Sequence, residues 1–243
     1  MAKRMLKLLK QAIIDFLYPP VIKCVVCEKE LAREFRLCDD CIARIEFIKD
    51  GFCNKCGRVI SSEESICLSC QGDKIYFKQA RAVGVYSAGL KEYIKLLKFN
   101  KQRQLVKPLA RLLEATVLRF YSCKEIDLIS YIPSHKEKKL ERGFNQAQLL
   151  AQELAKRLRL PCEKLLRKKK MGKTQSKLDR EERFANVEDS FAIIDREAVA
   201  GKKILLVDDI YTTGATVNEV SKVLSNNQAQ EIKIVTLATG KKN

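Results

Sequence analysis

The chain of 243 residues carries a formal net charge of +17, and hydrophobic residues make up 46% of it. That length suits one α/β domain with a small added module, and the apolar content is enough for a sizeable core. Neither a signal-peptide core nor an apolar run of membrane-spanning length occurs, so we expect a cytoplasmic protein without a membrane span. The basic excess falls in residues 79–243, with 33 basic and 19 acidic side chains, and it favours polyanionic partners.

The first 20 residues are basic and amphipathic. Apolar residues fall largely on one face of a helix over residues 3–17, and Pro19 and Pro20 predict its end. A helix of this kind either lies on a membrane surface or packs on the module that follows, and we favour packing. We therefore treat residues 1–20 as a separate N-terminal helix.

Eight of the ten cysteines form four CxxC pairs, and ten residues separate the two pairs in each half, at 28–37 and 57–66. The equal spacing indicates an internal duplication, and clustered pairs in a chain without a secretion signal favour metal over disulfides. Four thiolates form a closed, tetrahedral and therefore structural zinc site. We predict a double zinc ribbon over residues 21–72 with two zinc ions, ligated sequentially, with an interleaved cross-brace as the alternative. The sequential ligand sets are Cys24, Cys27, Cys38 and Cys41, then Cys53, Cys56, Cys67 and Cys70.

Residues 79–243 alternate between strand patterns and helix patterns. Strands are predicted at 80–87, 127–132, 162–167, 191–194, 204–207 and 232–238. Helices are predicted at 90–99, 103–121 and 146–159, and again from residue 217. This alternation predicts an α/β domain with a parallel sheet of Rossmann-like type.

Residues 204–217 carry the most specific chemistry. The apolar run at 204–207 predicts a central parallel strand, Asp208 and Asp209 follow where we expect it to end, and helical spacing resumes at Val217. The turn before that helix contains Thr212, Thr213, Gly214, Ala215 and Thr216. Such a turn offers amide and hydroxyl donors to a phosphate, whereas two carboxylates accept hydrogen bonds from the hydroxyls of a ribose. A ribose 5-phosphate satisfies both halves of the stretch.

Two other interpretations fit an acidic pair after a strand. A response-regulator receiver domain holds magnesium with such a pair, but only 34 residues follow Asp209, and a domain needs roughly 100. An acidic helix cap explains the carboxylates alone but leaves the threonine-rich turn without a reason. We therefore favour the phosphate site.

Basic residues are expected to surround this stretch. Lys98 ends a helix, Arg142 closes a basic run that begins after His135, and residues 168–186 are cationic without apolar periodicity. The run at 136–142 is either a loop that contacts pyrophosphate or a solvated helix start. Residues 168–186 suit a lid that closes on an anion, with a flexible basic loop as the alternative.

The stretch at 207–216 resembles the phosphoribosyl-pyrophosphate (PRPP) signature of type I phosphoribosyltransferases, and the whole chain resembles the ComF (ComFC) family of bacterial competence proteins. The matching motifs are Tyr18-Pro19-Pro20, the four CxxC pairs, Leu97-Lys98-Phe99, the Arg142–Gln146 segment, Thr174-Gln175, Arg183–Asn186 and Val207–Thr216. The resemblance implies a type I phosphoribosyltransferase-like domain at 79–243 that binds PRPP with Mg²⁺. It also implies a role in natural transformation, with single-stranded DNA and a competence helicase as partners.

The same resemblance assigns roles to individual residues. It implies that Asp208 and Asp209 bind the ribose and that Thr212–Thr216 bind the 5-phosphate. If the protein is an enzyme, the groups expected to face pyrophosphate are Lys98, His135, Arg142 and the lid. His135 is the candidate base beside the two acids if the protein is an enzyme, with a structural histidine as the alternative.

Three functions stay open on this basis. The first is a ComF-like protein that binds PRPP and single-stranded DNA during DNA uptake. The second is an active phosphoribosyltransferase with an unidentified acceptor, and the third is a zinc-ribbon adaptor for a competence helicase.

Overall fold

The structure is a computed structural model, and it describes residues 5, 22–31, 35–60, 65–99, 102–134, 136–169 and 189–240. Apart from Met5, the predicted N-terminal helix lies outside these ranges. The candidate base His135 and residues 170–186 of the predicted lid also lie outside them.

The described residues form eight strands and seven α-helices. The strands are β1 (Ile22–Lys23), β2 (Glu30–Leu31), β3 (Gln79–Val85), β4 (Leu128–Tyr131), β5 (Leu166–Lys168), β6 (Phe191–Ile193), β7 (Lys203–Tyr211) and β8 (Glu231–Thr239). The helices are α1 (Asp39–Ala43), α2 (Leu68–Gly72), α3 (Ala88–Phe99), α4 (Val106–Phe120), α5 (Lys136–Arg142), α6 (Gln146–Leu158) and α7 (Ala215–Asn226). No helix within the described ranges combines the length and apolarity that a membrane crossing requires.

The central sheet has the strand order β3-β8-β7-β4, and all of its pairings are parallel. Because side chains alternate along a strand, the apolar run of β7 supplies both faces of this sheet. Leu205 and Val207 face the core built with α3, α4 and α6, whereas Ile204 and Leu206 face the core built with α7. The predicted parallel α/β sheet is therefore confirmed, with β7 as one of its two inner strands.

The predicted strand at 162–167 is wrong for most of its length. Cys162 forms only an isolated bridge to Ile129, after which the chain leaves the edge of the sheet. Leu166 and Arg167 belong to β5, which pairs with β6 in an antiparallel hairpin outside the central sheet. The reason is tertiary, since Leu165 and Leu166 are both buried against the α7 side of the core and thereby draw the chain away from β4.

The cysteine module packs on both sides of the sheet. Cys24, Cys38 and Cys41 join the core that contains α3, and the hydroxyl of Tyr93 donates to the Cys41 carbonyl at 2.6 Å. The cysteines of the second half, beginning with Cys53, join the core that contains α7. The two halves of the duplication therefore meet the large domain at different places.

Candidate functional site

The acidic pair lies inside β7 and not beyond its end. We expected the strand to stop at Val207, but its pairing with β8 continues from Asp208, opposite Thr236, to Tyr211. The pairing with β4 does end at Val207. Both carboxylates therefore lie at the carboxyl edge of the sheet, beside the chain that leaves β4, which is where α/β folds bind ligands.

Asp209 is buried at 5% exposure, and two side chains hold it. The ammonium of Lys98 forms an ion pair with Oδ2, and Gln146 Nε2 lies 3.5 Å from Oδ1. Burial alone would raise the pKa of Asp209, but the Lys98 charge together with hydrogen bonds from Lys98, Asp208 and Gln146 lowers that pKa below its ordinary value. Asp209 is therefore an ionised acceptor in a fixed position.

Asp208 has a different environment. Its Oδ1 accepts a hydrogen bond from the Asp209 amide at 2.8 Å, and solvent reaches part of the residue. Burial raises the pKa of Asp208 well above its ordinary value, and the charge of Asp209 raises it further. Solvent contact limits this rise. A ligand that brings a cation or hydroxyl donors to Asp208 would stabilise its ionised form.

The Arg142–Gln146 segment reaches the acids through Gln146. Arg142 Nη1 donates to Gln146 Oε1 at 3.2 Å, and the guanidinium lies 5.2 Å from the ring of Phe99. Asn145 caps α6 with its side-chain oxygen, while its Nδ2 donates to the Ile132 carbonyl at 3.0 Å and ties the helix start to the chain after β4. Arg142 thus reaches Asp209 through Gln146.

The turn after β7 forms a cradle at the start of α7. Gly214 adopts φ +88°, and the first amide of the helix, that of Ala215, donates to Thr213 Oγ1 at 3.3 Å. A Cβ on Gly214 would collide with the hydroxyl of Tyr211, so the turn requires glycine for its conformation and for its space. The positive end of the α7 dipole and its first amides face this turn.

The structure brings together most of the residues that the sequence singled out. Lys98, Asp208 and Asp209 meet at one edge of the sheet, shortly before the 212–216 stretch, in which residues 212–214 form the turn and Ala215 and Thr216 already belong to the first turn of α7. Sequence reasoning missed Gln146 as the residue that joins Arg142 to Asp209, because that contact crosses from α6 to β7.

The eight clustered cysteines form two tetrads, and within each tetrad the four sulfur atoms all lie within 4.8 Å of one another. The tetrads are the two sequential sets, so the interleaved cross-brace is wrong. In the first, the Cys24–Cys41 and Cys27–Cys38 sulfurs are 3.7 and 3.5 Å apart. Four thiolates at about 2.3 Å from one zinc ion are about 3.8 Å apart from each other. Both tetrads therefore fit the closed sites of a double zinc ribbon.

Family comparisons agree with this architecture. Residues 13–71 match the family model of the double zinc ribbon domain, and residues 145–243 match that of the phosphoribosyl transferase domain. Together with the parallel sheet and the cysteine tetrads, these matches define the class: a type I phosphoribosyltransferase-like fold with an N-terminal double zinc ribbon.

Individual relatives extend the similarity over most of the chain. Competence protein F of Haemophilus influenzae is 29% identical over 222 residues, which cover 89% of this chain and 96% of that protein. Competence protein ComFC of Streptococcus pneumoniae is 30% identical over 206 residues, covering 83% and 86%. DNA utilization protein YhgH of Escherichia coli is 27% identical over 216 residues, covering 87% and 94%. This chain belongs to the ComF (ComFC) family of competence proteins.

Proposed function

We propose that this protein binds PRPP with Mg²⁺ at the carboxyl edge of its parallel sheet, binds single-stranded DNA and acts in DNA uptake. The observation that carries the PRPP assignment is the position of Asp209. It is a buried, ionised acceptor held by Lys98 and Gln146, and it comes shortly before a glycine turn that opens α7.

The chemistry of the two parts is complementary to the two ends of a ribose 5-phosphate. Asp208 and Asp209 accept hydrogen bonds from vicinal hydroxyls, whereas an ionised carboxylate has no donor for a phosphate dianion and repels it. The turn at 212–216 donates from amides and hydroxyls under the positive end of a helix dipole, which favours a phosphate and not a hydroxyl pair. This division fixes the orientation of the sugar, with its phosphate towards α7.

Magnesium and pyrophosphate complete the proposed ligand. Mg²⁺ is bound by one or two carboxylates together with phosphate oxygens, and the partly exposed carboxyl of Asp208 suits that role. The magnesium ion would neutralise charge on the pyrophosphate. Lys98 and Arg142 supply cationic groups beside the acids, and Lys98 is joined to Asp209 directly.

The DNA part of the proposal is supported by charge and by the family. The region that contains the PRPP site also carries the chain's basic excess. Two of the relatives are named for competence and one for DNA utilization. A DNA backbone bound by lysine and arginine gives an affinity that falls steeply with salt.

The direct test is replacement of both acids by their isosteric amides, Asp208→Asn with Asp209→Asn. Calorimetry with PRPP and Mg²⁺ should show loss of binding, because amide nitrogens replace half of the acceptors. The chain offers a matched control in another acidic doublet, Asp39–Asp40, which is exposed on the first ribbon. Wild-type PRPP affinity in the Asp208/Asp209 variant would reject the site.

The DNA and enzyme questions are answered in the same preparations. Single-stranded DNA affinity should be equal in both double variants and should fall linearly on a plot of log affinity against log salt. A DNA affinity that does not respond to salt would reject the electrostatic surface. Release of pyrophosphate from PRPP that depends on an added acceptor would establish a transferase, and its absence leaves PRPP as a bound ligand.

A further inference from the structure

The first CxxC knuckle of each ribbon has the same backbone conformation. In the first, the Cys24 amide donates to the Lys29 carbonyl at 2.8 Å, and in the second the Cys53 amide donates to the Arg58 carbonyl at 2.8 Å. The residue before each of these positions has a left-handed conformation, at φ 61° for Glu28 and 71° for Gly57. Lys29 and Arg58 are therefore equivalent positions of the duplication.

Their side chains go to different places. Lys29 is exposed and bonds to Asp40 of its own ribbon at 2.8 Å. Arg58 is only 7% exposed and leaves its ribbon, because its Nη2 donates to the Thr212 carbonyl at 2.5 Å. The same guanidinium lies over the ring of Tyr211 at 5.2 Å.

The two contacts of Arg58 lie at the proposed phosphate turn, one on its first residue and one on the residue just before it. Thr212 is its first residue, and the hydroxyl of Tyr211 is the group that a Cβ on Gly214 would meet. A charged donor to a main-chain carbonyl forms a stronger hydrogen bond than a neutral one. Arg58 thus fixes the turn at its main chain and, through Tyr211, beside its glycine.

The residues after the second ribbon reinforce this contact. Asn218, in the first turns of α7, accepts from the Tyr76 amide at 3.0 Å and donates to the Lys74 carbonyl at 2.9 Å. Phe77 packs edge-on against Tyr211 with ring centroids 6.3 Å apart. The second ribbon and its linker therefore clamp the turn and the start of α7 from one side.

We propose that Arg58 is a positioning residue through which the zinc-loaded second ribbon sets the affinity of the 212–216 turn for the 5-phosphate. This inference rests on the proposed function of the turn. The two halves of the duplication would then have different roles, because Arg58 of the second ribbon contacts the turn, whereas the equivalent Lys29 of the first ribbon pairs with Asp40.

The test compares Arg58→Met with Lys29→Met, its equivalent in the first ribbon, in the full zinc-loaded chain. For both variants, the rate of amide hydrogen exchange is measured over residues 209–218, and the Kd for ribose 5-phosphate is measured by calorimetry. For Arg58→Met we expect faster exchange in this segment and a Kd raised about tenfold, while two zinc ions remain bound. Lys29→Met should match wild type in both measurements. Arg58→Lys keeps a donor but not the flat stacking on Tyr211, and it should lie between the two.

Each outcome separates this inference from the proposed function. Exchange at the wild-type rate in Arg58→Met overturns the positioning role, and so does faster exchange with an unchanged Kd. Equal effects of Lys29→Met overturn it as well, since they would report general loosening of the ribbons. If wild type itself does not bind ribose 5-phosphate, the proposed function fails, and the exchange comparison still decides whether Arg58 holds the turn. Should Arg58→Met lose zinc, Arg58→Lys supplies the comparison with the ribbon loaded.

Discussion

Replacement of Gly214 by alanine should destabilise the protein by about 2–5 kcal/mol. At φ +88° a non-glycine residue costs about 1–2 kcal/mol through its own backbone. The new Cβ would also collide with the Tyr211 hydroxyl, whose ring is held by Arg58 and Phe77, and such overpacking costs about 1–3 kcal/mol. The two costs act on one residue and add.

The chain contains a glycine that separates the two costs. Gly201 also has a positive φ, at 71°, but a Cβ there would meet nothing within 4 Å. Gly201→Ala should therefore show only the backbone cost of about 1–2 kcal/mol. Gly72→Ala, at an open position without positive φ, should show neither cost.

Urea unfolding gives the free energy of unfolding for each variant. It is followed by circular dichroism because the chain has no tryptophan whose fluorescence could report unfolding. Gly214→Ala should also weaken ribose 5-phosphate binding, because the turn must move to admit the methyl group. If Gly214→Ala and Gly201→Ala lose the same free energy of unfolding, the collision with Tyr211 is not real.

Three further predictions concern the acids and the metal. Asp208→Asn should raise the free energy of unfolding at pH 7 by about 1 kcal/mol, because it removes a poorly placed charge. Because the pKa of Asp208 is raised in the native protein, wild-type stability falls as pH climbs above 3.8, the ordinary pKa of this carboxyl. The stability gained by Asp208→Asn should therefore shrink when the urea titrations are repeated at lower pH. Lys98→Met should lower the free energy of unfolding by about 3 kcal/mol by leaving Asp209 unpaired, and that loss should fade in the same titrations as acid protonates Asp209. Elemental analysis should find two zinc ions per chain and one in Cys53→Ser; two in that variant would contradict the second tetrad.

Local patterns were sufficient to predict the central strand, the acidic pair and the turn. The apolar run at 204–207 indicates a strand covered on both faces, and the glycine among threonines indicates a turn with donors. The cysteine spacing likewise indicates two four-cysteine sites, because each CxxC pair brings its own two sulfurs together, whereas the choice of sequential over interleaved pairing comes from the structure. These features depend on residues close together in sequence.

The remainder depends on contacts between distant residues. The extension of β7 to Tyr211 is due to β8, which follows β7 in the sequence and offers pairing partners up to Thr239. Gln146 reaches Asp209 across 63 positions, and Arg58 reaches Thr212 across 154. Gln146 belongs to the Arg142–Gln146 motif and Arg58 to no motif described above, but in both cases the partner is far away in sequence, so no local pattern indicated the contact.

On the proposed function, the pairing of Lys98 with Asp209 would affect which ligands the site accepts. Two adjacent carboxylates on one strand would attract stray divalent ions, but here an internal ammonium already neutralises the more buried one. A sugar that reaches Asp209 must therefore share this acceptor with Lys98 or displace it. Simple cations, which offer only charge, gain little from such an exchange. On the proposed function, a ligand with both a diol and a phosphate would engage the turn as well, and the internal ion pair would favour it over ligands that carry only one of these groups.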